Sequence, residues 1–168
     1  MRILFVHNNF PGQYRRITKY IADRPKLGVK MFAATLSSNS QPNDCMQTIH
    51  FKPHREVLEG AHPALIATER ALLNGQALYS ALMKSKKAGF NPDVILSHSG
   101  WGSAMFLRDL FPDAKFLTYY EWYYHSLNSD GSFLMDEPYD ANSQLRIRMK
   151  NTPILQDMAA MDHGQCPT

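Results

Sequence analysis

Short apolar runs that alternate with turns and helical periods constrain this chain more than any other feature. Ile3 to His7, Val29 to Thr35, Val94 to His98 and Lys115 to Tyr119 read as strands, with Ile49 to Phe51 as a shorter one. The runs are continuously apolar, as in strands buried on both faces, and such strands belong to parallel sheets. Helical periods lie between them. Gln13 to Ala22 carries one through Tyr14, Ile17, Tyr20 and Ile21, and about 102–110 another through Ala104, Met105, Leu107 and Leu110. The longest helix is expected from about Pro63 to Lys87. It bears one stripe of Leu65, Leu72, Tyr79 and Met83 and a nearly opposite one of Ala67, Ala71, Leu78 and Leu82. Two apolar sides predict burial on two sides. Glu69 and Gln76 share the first face and would need partners if buried. The polar segment Leu36 to Asp44 reads as a surface loop, and the chain turns irregular and aromatic from Tyr119 to about Pro138. A last helix, from about Asp140 to Met161, carries Leu145, Met149, Leu155 and Met158, with Pro153 expected to kink or restart it. The final residues, His163 to Thr168, stop where a further strand or a crossover to another domain is expected. The alternation predicts an α/β fold with helices on both faces of the sheet.

A length of 168 residues suits one domain with a full core, and 44% hydrophobic with 20% charged residues fits a soluble globular protein. The net charge is only +3. Basic clusters at Arg15-Arg16, Lys84 to Lys87 and Arg146 to Lys150 lie among acids, so they read as solvated helix faces and not as a nucleic-acid surface. Cys45 and Cys166 make no disulfide framework, which points to a reducing cytoplasm. Met1 to Val6 is too short an apolar run for a signal sequence, and no stretch reaches the ~20 apolar residues of a membrane span. Peripheral contact with a membrane stays open.

The segment Pro92 to Gly102 closes a strand and opens a helix, and ligands of open α/β sheets bind outside the carboxyl ends of strands. His98 stands at that end, followed by Gly100, Trp101 and Gly102. The glycines allow close backbone approach, and free N–H groups at the next helix can hold an oxygen or an anion. Alone, His98 reads as a satisfied strand-end histidine; the Gly-Trp-Gly after it favours a site. The loop His7 to Gln13 takes the position of a phosphate loop but lacks the glycines of a dinucleotide fingerprint and the Gly-Lys-Ser/Thr of a P-loop. Its Asn, Gln and backbone N–H groups suit neutral hydroxyls. A free-standing nucleotide-binding domain is therefore the weaker reading.

Tyr119 to His125 also starts at a strand end. Its rings can stack on sugars or fill a core, whereas Glu121 needs water or a partner. No metal-ligand spacing is present: Pro53 argues against a helix that would bring His50 and His54 together. No Ser-His-Asp or Cys-His arrangement can be assembled, and Asp136, Glu137 and Asp140 make a poor acid/base pair.

Several segments together resemble the amino-terminal domain of family 4 glycosyltransferases. They are Arg2 to Tyr14, Glu69 to Gln76, Gly89 to Val94, His98 to Gly102, Phe106 to Asp113, and the Tyr-x-Glu-x-Tyr-Tyr at 119–124. The resemblance implies a Rossmann-like three-layer sandwich with a mainly parallel sheet, one half of a GT-B architecture. Residues 1–168 would be the acceptor-side domain, and the carboxyl-terminal donor-binding domain is absent from this sequence. It further implies a retaining enzyme that moves a sugar from a nucleotide-sugar donor to a hydroxyl of a glycan or lipid-linked acceptor. The donor is a cosubstrate, and neither cofactor nor metal is implied. Asn9, Pro11, Gly12 and Gln13 would line the cleft near donor phosphates and acceptor. His98 with Gly100, Trp101 and Gly102 would face the transferred sugar or the acceptor, and Glu121, Tyr123 and Tyr124 would form another wall. Of these, His98 and Glu121 are the catalytic candidates. This half is expected to be inactive alone, cytoplasmic, and open to a peripheral place at the inner face of the membrane. The alternative is a non-catalytic module that binds a glycan, forms a homodimer or pairs with a separately encoded half.

Overall fold

The apolar runs become strands. In a computed structural model of the protein, which describes residues 1–39, 46–127 and 140–167, β1 is Arg2–Val6, β2 Lys30–Leu36, β3 Gln47–Phe51, β4 Val94–His98, β5 Lys115–Tyr119 and β6 His163–Gln165. The helices are α1 (Arg15–Ala22), α2 (Ile66–Lys87), α3 (Leu107–Leu110), α4 (Ala141–Met149) and α5 (Thr152–Ala160). All strands pair in parallel in one six-stranded sheet of order β3-β2-β1-β4-β5-β6.

Alternate residues of β1 enter opposite layers. Leu4 and Val6 join Ala34, Ile95, Leu78, Leu82, Leu107 and Leu110 in the core shared with α2 and α3. Ile3 and Phe5 join Phe10, Tyr14, Ile21 and Ala33 in the layer under α1. Leu4 and Phe5 are both 0% exposed, and each contributes at most about 1.5–3 kcal/mol by burial. The chain winds outward from β1 to β3, then crosses back through α2 to β4. The connections that leave the carboxyl ends of β1 and β4 therefore diverge at the reversal of strand order, the place where open α/β sheets form a binding crevice.

Three expectations change. The helix expected at about 102–110 shortens to α3, because Gly100 and Gly102 hold positive φ values of 91° and 75°. The Gly102 α-carbon lies against Ala71 of α2, where any side chain would collide with backbone. Helix α2 buries one stripe, through Ala71, Leu78 and Leu82, while Leu65 and Leu72 of the other are exposed. Only Tyr79 and Met83 of that second stripe reach the edge of the core. Glu69 has its partners in Arg55, at 2.6 Å, and the Leu58 N–H, at 3.3 Å, while Gln76 faces outward.

The last helix is two helices. Pro153 occupies the first turn of α5, where its missing N–H costs nothing. The restart shifts the helical phase, so Pro153, Ile154 and Asp157 are buried while Leu145, Leu155 and Met158 are exposed. The residues after α5 supply the further strand themselves. Asp162 accepts from the Phe116 N–H at 2.8 Å and from Arg108 at 2.7 Å, which fastens β6 beside β5. The Arg108 hydrogen bond, with that from Phe116, holds the Asp162 carboxyl well below the usual range. Cys45, Asp136 and Glu137, with most of the 36–44 loop and the end of the aromatic stretch, lie outside the described residues.

Candidate functional site

The ends of β1 and β4 bring two histidines together. The His7 and His98 rings meet edge to face with centroids 4.8 Å apart, and both residues are buried. His7 Nδ1 accepts the Asn9 N–H at 2.9 Å, so the proton sits on Nε2 and is donated to Gln13 Oε1 at 2.7 Å. Burial, and then the neighbouring His98, lower the His7 pKa from its ordinary value, which favours this neutral tautomer.

The Gln13 amide donates onward to both Glu121 oxygens, at 2.9 and 3.0 Å. His98 Nε2 lies 3.1 Å from Glu121 Oε2, and its Nδ1 lies 3.0 Å from the Ser99 carbonyl. One hydrogen-bond network thus joins the loops after β1, β4 and β5. The Glu121 side chain is 49% exposed. A carboxylate offers about four lone-pair sites, so Glu121 can still accept hydroxyls from the crevice.

Two supports hold this network. The loop after β1 is pinned by Asn8, whose Oδ1 accepts from Ser103 at 2.5 Å and whose carbonyl accepts from Thr35 at 2.8 Å. Gly12, at φ 45°, lies so close under the His7 ring that a side chain there would displace it. The turn after β4 is held by α5: Asp157 accepts from Ser99 Oγ at 2.8 Å and from the Gly100 N–H at 3.3 Å. Burial pushes the Asp157 carboxyl up to about 6.

The structure brings His98, Glu121 and Gln13 into contact, with Gly12 beneath and the Asn9 N–H on His7. Pro11 is half-buried in the same loop. Gly100 is tethered to Asp157, and Gly102 is buried against α2. Trp101 is 46% exposed, and its carbonyl accepts from Asn74 at 3.0 Å. Tyr124 exchanges backbone hydrogen bonds of 2.9 and 2.8 Å with the Asn151 side chain, and Tyr123 lies against His125. Neither tyrosine joins the network.

Sequence reasoning did not single out His7 or Asp157. His7 ends its strand as His98 does, a signal that was available. Asp157 gave none, because its burial depends on the phase of a restarted helix. Among the described residues no three His, Cys, Asp or Glu side chains are placed to hold a metal ion, and no helix is long and apolar enough to cross a membrane.

Fold and crevice define a Rossmann-like α/β domain of the GT-B kind, with a polar network at its topological switch point. The chain belongs to the glycosyl transferase family 4 group, whose sequence profile matches residues 28–168. No curated relative matches it significantly. Among solved structures it is similar to Arabidopsis thaliana UGT89C1 complexed with UDP, at TM-score 0.51 and 13% identity over 99% of this chain and 42% of that one. It is also similar to a variant of Os79 from O. sativa in complex with UDP, at TM-score 0.51 and 12% identity over 71% of this chain and 29% of that one. At such identities the likeness is one of fold. The chain spans less than half the length of either protein.

Proposed function

We propose that this chain is the acceptor-side half of a retaining glycosyltransferase that moves a hexosyl unit from a nucleotide sugar to a glycan or lipid-linked hydroxyl. The observation that carries the reading is the network His7–Gln13–Glu121–His98 at the crevice between β1 and β4. In the reaction the anomeric carbon–oxygen bond to the diphosphate breaks, a bond to the acceptor oxygen forms, and the acceptor proton leaves with the diphosphate. His98 and Glu121 face the sugar, Glu121 accepting its hydroxyls. The loop from Asn9 to Gln13 lies toward the donor phosphates, where oriented N–H groups would stabilise the leaving charge. UDP in both structural relatives supports a nucleotide-sugar donor.

The test is transfer by a protein that joins this chain to a donor-binding domain of its family, with radiolabelled nucleotide sugars. His98→Ala and Glu121→Ala should each lower kcat by about 10²-fold or more while the fold persists. Unchanged rates in both variants would remove these residues from the chemistry. A second reading, a non-catalytic glycan-binding or dimerisation module, is favoured by the exposed Leu58, Leu65 and Leu72 beside α2. In its dimerisation form it predicts a mass that grows with concentration.

A further inference from the structure

A concavity of about 440 Å³ opens at the carboxyl ends of β1, β2 and β3. Its lining connects to the histidine–glutamate network along the chain, since Asn8 follows His7 and Trp101 lies in the turn after His98. Three cations line it, Lys52, Arg55 and Arg70, against one acid, Glu56. Arg55 is engaged by Glu69 at 2.6 Å. Lys52 and Arg70 make no hydrogen bond or ion pair with any described residue. A cavity with two uncommitted cations in its wall favours an anion. Arg70 adds a planar fork able to grip a phosphate or carboxylate through two parallel hydrogen bonds.

The rest of the lining is suited to a sugar. Trp101 is 46% exposed, so its ring can receive the C–H face of a pyranose. Asn74 spends its amide N–H on the Trp101 carbonyl, which orients the turn and leaves Oδ1 to accept a hydroxyl. Ser38 adds a second polar group to the lining.

We infer that the concavity between Trp101 and Arg70 is the seat of the acceptor, and that this acceptor is an anionic sugar bearing a phosphate or carboxylate. The inference rests on the glycosyltransferase reading and names the substrate class for it. The anionic group pairs with Arg70 and Lys52, the ring stacks on Trp101, and a hydroxyl is directed past Asn8 toward His98 and Glu121. Such an acceptor is carried over by a preceding sugar-phosphorylating or sugar-oxidising reaction.

Binding to the 168-residue chain tests this, read from amide and indole N–H signals by nuclear magnetic resonance. The probes are glucose 6-phosphate, glucuronate, glucose and inorganic phosphate. Glucose 6-phosphate, glucuronate or both should shift the Trp101 indole and the Asn8 and Asn74 signals, and which of them does so identifies the anion. Glucose and inorganic phosphate should bind at least ten-fold more weakly. Arg70→Ala and Lys52→Ala should each weaken the anionic sugar several-fold, whereas Lys84→Ala, at the far end of α2, should not. Equal binding of glucose, equal binding of inorganic phosphate, silent signals, or insensitivity to both pocket substitutions would each overturn the assignment. Binding without any transfer by the joined protein would instead sink the glycosyltransferase reading and leave the anionic-sugar site standing.

Discussion

At the scale of single residues, Asp157 links stability to the site. Its folded pKa is raised from 3.8 to about 6 by burial, so the folded chain holds the proton more tightly than the unfolded one. The stabilisation is fully present below about pH 4 and is lost as pH rises through about 6. A shift of this size is worth on the order of 3 kcal/mol. Asp157→Asn can still accept from Ser99 and Gly100, so it should flatten the stability curve between pH 4 and pH 6, as urea midpoints at the two ends would show. An unaltered slope would mean that another group titrates there. Gly12 makes a second case. Alanine at φ 45° costs about 1–2 kcal/mol in backbone strain, before its contact with His7 is counted. Gly12→Ala should therefore lower Tm by several degrees, and a Tm within one degree of the parent would contradict the packing described.

At the scale of elements, the strands and α2 were legible because continuous apolar runs and long helical periods leave few alternatives. The core stripe of α2 was legible only as one of two. What chose between them was the close approach of Gly102 to Ala71 and of Gly75 to the Gly102 carbonyl, at a distance of 2.8 Å for an added Cβ. Spacing within α2 does not contain that contact. Removing the buried Leu78 side chain by Leu78→Ala should cost about 2–5 kcal/mol, whereas Leu72→Ala, on the exposed stripe, should cost well under 1. Denaturant titration separates the two, and equal costs would mean that both stripes are packed. Strand β6 is three residues long, and all of them are exposed. Its place depends on Arg108, which reaches the Ala160 carbonyl at 2.7 Å as well as Asp162. Arg108→Ala should speed hydrogen exchange at 162–165 and leave β1 and β4 protected, and uniform protection along the chain would refute that dependence.

At the scale of the whole molecule, the carboxyl edge of the sheet carries the histidine–glutamate network and the rest of the domain holds it in place. The loops after β1, β4 and β5 meet there because the strand order reverses between β1 and β4. The isolated chain is expected to turn over nucleotide sugars negligibly, since the groups it offers a leaving diphosphate are few. A rate comparable with that of a joined two-domain protein would overturn this. By itself the sequence determined the α/β class, the parallel sheet, the strand ends and the candidacy of His98, Gln13 and Glu121, because apolar periodicity and turn chemistry are local properties. Only the tertiary structure decided that His7 completes the network, that Asp157 holds the turn after β4, and that Tyr124 is taken up by Asn151. Those partners lie far apart along the chain, and no local pattern records which side chains a crossover will place within 3 Å of each other.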